Sequence, residues 1–197
     1  MVKPFIIGTR NSGDYLHGGA KVLREGGSAL DAVEAATRLV EINPNDTSVG
    51  LGGIPNILGI QEMDASIMCG KTMEAGTVGA LKGFKHPISV ARKVLEHAPH
   101  VMLVGEGAEL YAKVMGCEPG SLETEESKKV YRAFVEDAFE HEGIDESQAW
   151  VVNYARSQNL REWYDKLADE HHGTVNIMAM DENGDIASAV STSGTAL

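Results

Sequence analysis

The chain has 197 residues, 43% of them hydrophobic and 23% charged, an ordinary globular balance that accommodates one core and one domain. Its formal net charge of -12 argues against nucleic acid or an anionic membrane as partner, because both bind through Lys and Arg that displace counterions from phosphate. A neutral or zwitterionic small molecule suits the composition better, and no apolar run reaches the length of a membrane span.

In chain order, Met1 to Gly8 lead straight into a strand at "PFIIGT", without the basic flank and apolar core of a secretory signal, so a cytoplasmic location is expected. "SGDYLHGGAKVLREGG" reads as a helix closed by Gly26 and Gly27. The next helix starts at Ser28, with Asp31 three residues on in a capping-box-like arrangement. It carries Leu30, Val33, Thr37 and Val40 on one stripe, stops at Pro44 and is expected to lie on a sheet. "SVGLGGIPNILG" lacks the spacing of a dinucleotide fingerprint and the Lys of a P-loop, and reads as a loop that brings backbone close to something.

"MDASIMCG" is a strand candidate, followed by "TMEAGTVGALKGFK"; Pro87 then opens a helix with Ile88, Ala91, Val94 and Leu95 on one side. "HVMLVG" reads as strand or short buried connection, and a further helix runs to about Met115. From Glu118 to Glu146 ten acidic residues face Lys128, Lys129 and Arg132, the composition of a solvated helix or linker. "NYARSQNLREWYDKLADE" reads as a surface helix, and "TVNIMAMD" and "DIASAVST" flank "ENG" as a hairpin. Helices and strands in this order indicate a layered α/β or α+β domain. Cys69 and Cys117 are too few and too isolated for a disulfide framework or a CxxC site, and buried free thiols are expected.

The chain holds no GxSxG, no HExxH and no EF-hand loop. His171 and His172 are adjacent, so in a strand-like segment they point to opposite sides, and a metal would need further ligands that the sequence does not name. No metal and no cofactor is expected. Gly173-Thr174 has a different chemistry: if the peptide bond before Thr174 is cut, the threonine hydroxyl becomes a nucleophile whose base is its own α-amine. An α-amine has an unperturbed pKa of about 7.7–8.0, so a useful neutral fraction exists near neutral pH. A solvent-facing strand threonine is the competing reading. Hairpin register decides whether a helper lies near. A three-residue loop of Glu182, Asn183 and Gly184 sets Thr174 opposite Thr192; a two-residue Asn183-Gly184 turn sets it opposite Ser193 and sends Thr192 to the other face.

The segments "GGSALDAVEAATRLVE", "SVGLGGIPN", "MDASIM", "AGTVGALKGFKHPISVARKVLEHAPHVMLVGEGA" and "GTVNIMAMDENGDIASAVSTSG" span nearly the whole chain. On these the chain resembles the glycosylasparaginases (aspartylglucosaminidases), within the asparaginase and isoaspartyl-peptidase group of N-terminal nucleophile hydrolases. The resemblance implies an α+β fold, a four-layer αββα sandwich, made as a precursor that cuts itself between Gly173 and Thr174 into an α-chain, residues 1–173, and a β-chain beginning at 174. It implies that the freed Thr174 attacks the side-chain amide of N4-(β-N-acetylglucosaminyl)-L-asparagine, releasing aspartate and a glycosylamine. Thr192 matches the threonine that hydrogen-bonds the nucleophile, which favours the three-residue loop, and Ser48 matches a serine lining the substrate pocket. A homodimer of cleaved αβ units is implied for the full-length form.

Two positions depart from the pattern. Arg10 stands where the branch usually has a tryptophan that contacts substrate, and puts a charge and a flexible stem in place of a rigid apolar plane. Gly173 stands where the branch has aspartate, although glycine is usual there in the plant-type asparaginases. Both departures encourage L-asparaginase or isoaspartyl dipeptidase activity as the second reading, and a non-catalytic, uncleaved remnant is a reading of another class. The resemblance also implies a continuation past "STSG" that carries an arginine and an aspartate for the substrate and a Thr-Gly oxyanion pair. The 197 residues are therefore expected to be a fragment, truncated in its second half, with little or no hydrolase activity by itself.

Overall fold

A computed structural model describes residues 2–56, 59–129, 131–132 and 173–194. The helix expected over 153–170, most of the acidic stretch and the pair His171 and His172 lie outside the described residues. Strand β1 covers Phe5–Gly8 and leads into a 3-10 helix over Arg10–Tyr15, which passes into helix α1 at Leu16–Arg24. The expected helix thus begins as a tighter 3-10 turn. Helix α2, Ala29–Glu41, is followed by strands β2 at Met63–Cys69 and β3 at Glu74–Leu81. Helix α3, Pro87–His97, strand β4, Met102–Val104, and helix α4, Gly105–Val114, come next, and near the end of the chain lies the hairpin of β5, Val175–Met180, with β6, Ile186–Thr192.

Local chemistry accounts for the helix ends. The Ser28 hydroxyl accepts from Asp31 N at 3.1 Å and donates to the Asp31 carboxylate at 2.7 Å, so N-cap and third residue satisfy each other. Pro87 occupies the first turn of α3, where its missing N–H costs nothing. The buried stripe of α2 is Ala29, Ala32, Val33, Ala36, Thr37 and Val40.

Among the described residues six strands form one mixed sheet in the order β1-β5-β6-β2-β3-β4, in which β3 and β4 are parallel and the other neighbouring pairs antiparallel. Along β5 the inward residues Val175, Ile177 and Ala179 are buried and alternate with Asn176, Met178 and Met180. Helix α2 packs on β5 and β6, α3 on β2 and β3, and α1 on α2 and β1, so these helices share one face of the sheet. On the opposite face Phe5, Ile7, Met68, Met178 and Ile186 are exposed, and among the described residues no element covers it. Cys69 and Cys117 are free and half-buried rather than buried. Among the described residues no helix is long and apolar enough to cross a membrane.

The hairpin adopts the three-residue loop. Val175 pairs with Ser191 and Met180 with Ile186, and the Asp181 and Asp185 backbones close the ladder at 3.0 Å. Gly184 sits at φ +84°, the left-handed position this loop requires. Asp181 fixes the arrangement: Oδ1 accepts from Asn183 N and Asp185 N, and Oδ2 accepts from Ala29 N at 3.1 Å, at the first turn of α2. One buried carboxylate therefore shapes the loop and anchors it to a helix start.

Candidate active site

The register carries one step past β5: with Val175 opposite Ser191, Thr174 stands opposite Thr192. Thr174 is exposed, and the peptide bond before it is gripped from across the hairpin. The Thr192 hydroxyl donates to the Gly173 carbonyl at 2.8 Å and accepts from Gly194 N at 3.1 Å. Its other acceptor, the Ser48 carbonyl, is 3.5 Å away and already receives Ser193 N at 2.8 Å. A hydroxyl has one proton, so the shorter contact to Gly173 takes it.

Ser48 approaches the same peptide bond from the loop after α2. Its N–H and its hydroxyl both donate to Asp46 Oδ1, at 2.9 and 2.5 Å, and Asp46 Oδ2 accepts from Asn11 Nδ2 at 3.0 Å. Asn11 Oδ1 in turn accepts from the Thr9 hydroxyl at 2.7 Å, and that hydroxyl accepts from Asn176 N at 3.1 Å. The network runs from the strand that follows Thr174, through the residues after β1, to the serine beside Gly173. An open polar cleft of about 510 Å³ borders it, lined among others by Arg10, Asn11, Asp14, Asn45, Asp46 and Ser48.

Behind the site, Glu41 at the end of α2 is fully buried. Its Oε1 accepts from Ile88 N at 2.9 Å and from the Ser191 hydroxyl at 2.8 Å, so a carboxyl from α2 caps α3 and holds the residue next to Thr192. Its Oε2 faces His86 Nδ1 at 3.5 Å, too far for a strong hydrogen bond, and neither atom has a closer partner among the described residues. Burial in the core pushes the Glu41 carboxyl above its usual range, outweighing the contacts from His86, Ile88 and Ser191. Among the described residues no cluster of three or more His, Cys, Asp or Glu is arranged to hold a metal.

Of the residues singled out from sequence, Gly173, Thr174 and Thr192 meet at the open end of the hairpin, and Ser48 abuts them. Arg10, exposed at the start of the 3-10 helix, joins Ser48 in lining the cleft. Sequence reasoning missed Thr9, Asn11, Asp46 and Glu41. A signal existed for Asp46 alone: in "NDTS" an aspartate two residues before a serine favours the side-chain turn to N–H that forms here.

A helix-backed mixed sheet with a threonine at the open end of its central hairpin fits the α+β architecture of the N-terminal nucleophile hydrolases. A family model described as Asparaginase matches residues 10–197, and the chain belongs to that family, in the group that includes glycosylasparaginases and isoaspartyl peptidases. It is 37% identical over 195 residues to N(4)-(Beta-N-acetylglucosaminyl)-L-asparaginase of Elizabethkingia miricola, covering 98% of this chain and 50% of that protein. It is 50% identical over 118 residues to a plant-type L-asparaginase of Pyrococcus abyssi, covering 60% of this chain and 38% of that one. Against the isoaspartyl peptidase/L-asparaginase of Mus musculus the figure is 37% over 179 residues, 89% of this chain and 48% of that protein. The chain spans about half the length of these relatives or less.

Proposed function

We propose that the chain carries the nucleophile of an N-terminal threonine amidohydrolase, exposed by self-cleavage between Gly173 and Thr174. One observation carries the reading: the Thr192 hydroxyl donates at 2.8 Å to the carbonyl of the peptide bond that precedes Thr174. In the proposed cleavage the Thr174 hydroxyl attacks the Gly173 carbonyl carbon and the carbonyl oxygen gathers negative charge, which the Thr192 donor, at the distance oxyanion donors adopt, stabilises. The C–N bond then breaks, an ester forms, and the leaving nitrogen takes up the proton lost by the hydroxyl. Water hydrolyses the ester, leaving Gly173 as a carboxylate and Thr174 with a free α-amine to serve as base.

The proposed substrate is N4-(β-N-acetylglucosaminyl)-L-asparagine, hydrolysed to aspartate and a glycosylamine; a similarity of 37% identity, over 98% of this chain, to a protein named N(4)-(Beta-N-acetylglucosaminyl)-L-asparaginase supports it. L-asparagine or an isoaspartyl dipeptide is the second reading, supported by Gly173 at the cleavage site, by Arg10 in the cleft and by the relatives of those names. The four-layer sandwich belongs to the same proposal: the uncovered apolar face of the sheet suits a second sheet, supplied by sequence of the kind that makes the relatives twice as long. Substrate capture by the full-length protein, as a dimer of cleaved units, is proposed with it, and the 197-residue chain by itself is proposed to have little turnover.

Intact-mass spectrometry of the purified chain tests the reading. Two species ending at Gly173 and beginning at Thr174 are expected, and Thr174→Ala is expected to abolish them while leaving the circular-dichroism spectrum unchanged. An uncut wild-type chain after prolonged incubation would overturn it.

A further inference from the structure

We propose that Asp46 is a positioning residue for the Gly173–Thr174 junction: by pinning Ser48 against residue 173 it aligns the bond for cleavage. The inference rests on the reading of Thr174 as nucleophile and deepens it. A Cβ built on Gly173 would lie 2.5 Å from Ser48 Oγ and 2.8 Å from Ser48 Cβ. Rotating the serine hydroxyl relieves only the first of these, and that hydroxyl is not free to rotate, because it donates to a carboxylate at 2.5 Å. The second contact involves an atom fixed to backbone. That backbone is tied at both ends, by Ser48 N to Asp46 Oδ1 and by Ser193 N to Ser48 O.

Asp46 owes its own position to the far side of the junction. Its second oxygen takes Asn11, and the chain of hydrogen bonds through Thr9 ends on Asn176 N, two residues beyond Thr174. The scissile bond is thus held between Ser48 on one side and the start of β5 on the other, with one carboxylate connecting the two.

The network also supplies its own rescue. In Asp46→Asn the new amide faces the Asn11 amide, donor against donor. In the exchange Asp46→Asn with Asn11→Asp every hydrogen bond is restored, with the polarity between the two side chains reversed. The amide now at position 46 accepts from Ser48 through its oxygen and donates to the carboxylate at position 11, whose other oxygen still accepts from Thr9.

Two measurements on the 197-residue chain test the proposal. The rate at which the 173/174 fragments appear is expected to fall about tenfold or more in Asp46→Ala and to return to within about threefold of wild type in the exchanged pair, the scale on which small misplacements of reacting groups act. With every variant assayed well below its melting temperature, a purely structural role would lower the melting temperature of Asp46→Ala and leave its cleavage rate unchanged. In a Thr174→Ala background, which cannot cut itself, melting temperatures are compared for Gly173→Ala, Ser48→Gly and the double variant. The loss caused by Gly173→Ala is expected to be largely relieved when Ser48 is replaced by glycine. Additive losses, or an unrecovered exchange, overturn the proposal. A wild-type chain that never cuts itself overturns the nucleophile reading instead, and the melting cycle then decides the contact between Ser48 and residue 173 by itself.

Discussion

Replacing Glu41 by glutamine separates the two jobs of a buried carboxyl: accepting hydrogen bonds and carrying charge. The Glu41→Gln side chain keeps an oxygen for Ile88 N and the Ser191 hydroxyl, the donors that Oε1 serves at 2.9 and 2.8 Å. It discards the ability to ionise. The folded protein raises this pKa above the value of 4.5 expected without burial, so the native state retains a proton that the unfolded chain releases. The corresponding stability is fully present below pH 4.5 and is lost as pH climbs through the folded pKa, at about 1.4 kcal/mol for each unit separating the two values. Urea titrations followed by circular dichroism across this range should show Glu41→Gln matching the wild type at the acid end and gaining on it as pH rises, until the difference levels off. Glu41→Ala should behave otherwise, since it strands two buried donors at about 1–3 kcal/mol each. That is a large part of the roughly 5–15 kcal/mol a domain of this kind typically has. A pH-independent offset between wild type and Glu41→Gln, or a glutamine variant as damaged as the alanine one, would refute the reasoning.

Three other side chains offer shorter tests. Thr192→Val keeps the shape and removes the donor to the Gly173 carbonyl; the fragment time course should slow by about 10²–10³, the cost of losing one oxyanion donor, while the melting temperature moves only slightly. Gly184→Ala places a side chain at φ +84° in the hairpin loop and should cost roughly 1–2 kcal/mol in chemical denaturation; a neutral result would contradict the left-handed assignment. Arg10→Ala, at an exposed position lining the cleft, should leave stability within about 0.5 kcal/mol and, in any preparation that turns over substrate, change KM more than kcat; an equal fall in kcat would remove Arg10 from the binding side of the cleft.

What could be read from sequence divides by the range of the forces involved. The Ser28 cap, the apolar stripe of α2, the Pro87 start of α3 and the glycine of the hairpin loop are decided within a few residues, and each appears where local chemistry puts it. Strand β3 has no such local signature, because "EAGTVGAL" has small residues and no clean alternation; its pairing with β2 and β4 makes it a strand. The site follows the same division. The sequence admits two registers for Thr174, and the buried Asp181, bound to Ala29 at a separation of 152 residues, ties the hairpin loop to α2 in the three-residue form. Asp46 and Asn11, 35 residues apart, and Glu41 and Ser191, 150 apart, meet only after the sheet has assembled, and no spacing rule announces them.

The place of the hairpin in the sheet has a consequence for a molecule cut before Thr174. Strands β5 and β6 lie between β1 and β2, each hydrogen-bonded to a strand from the other side of the cut. Scission would therefore leave the two pieces stitched together along both flanks, and native mass and hydrodynamic size would hardly change. The history of the cut would surface only on refolding. An uncut chain regains its sheet by a unimolecular search, whereas severed pieces must first find each other at a rate set by their concentration, so unfolding a mature molecule at low concentration would be a one-way event.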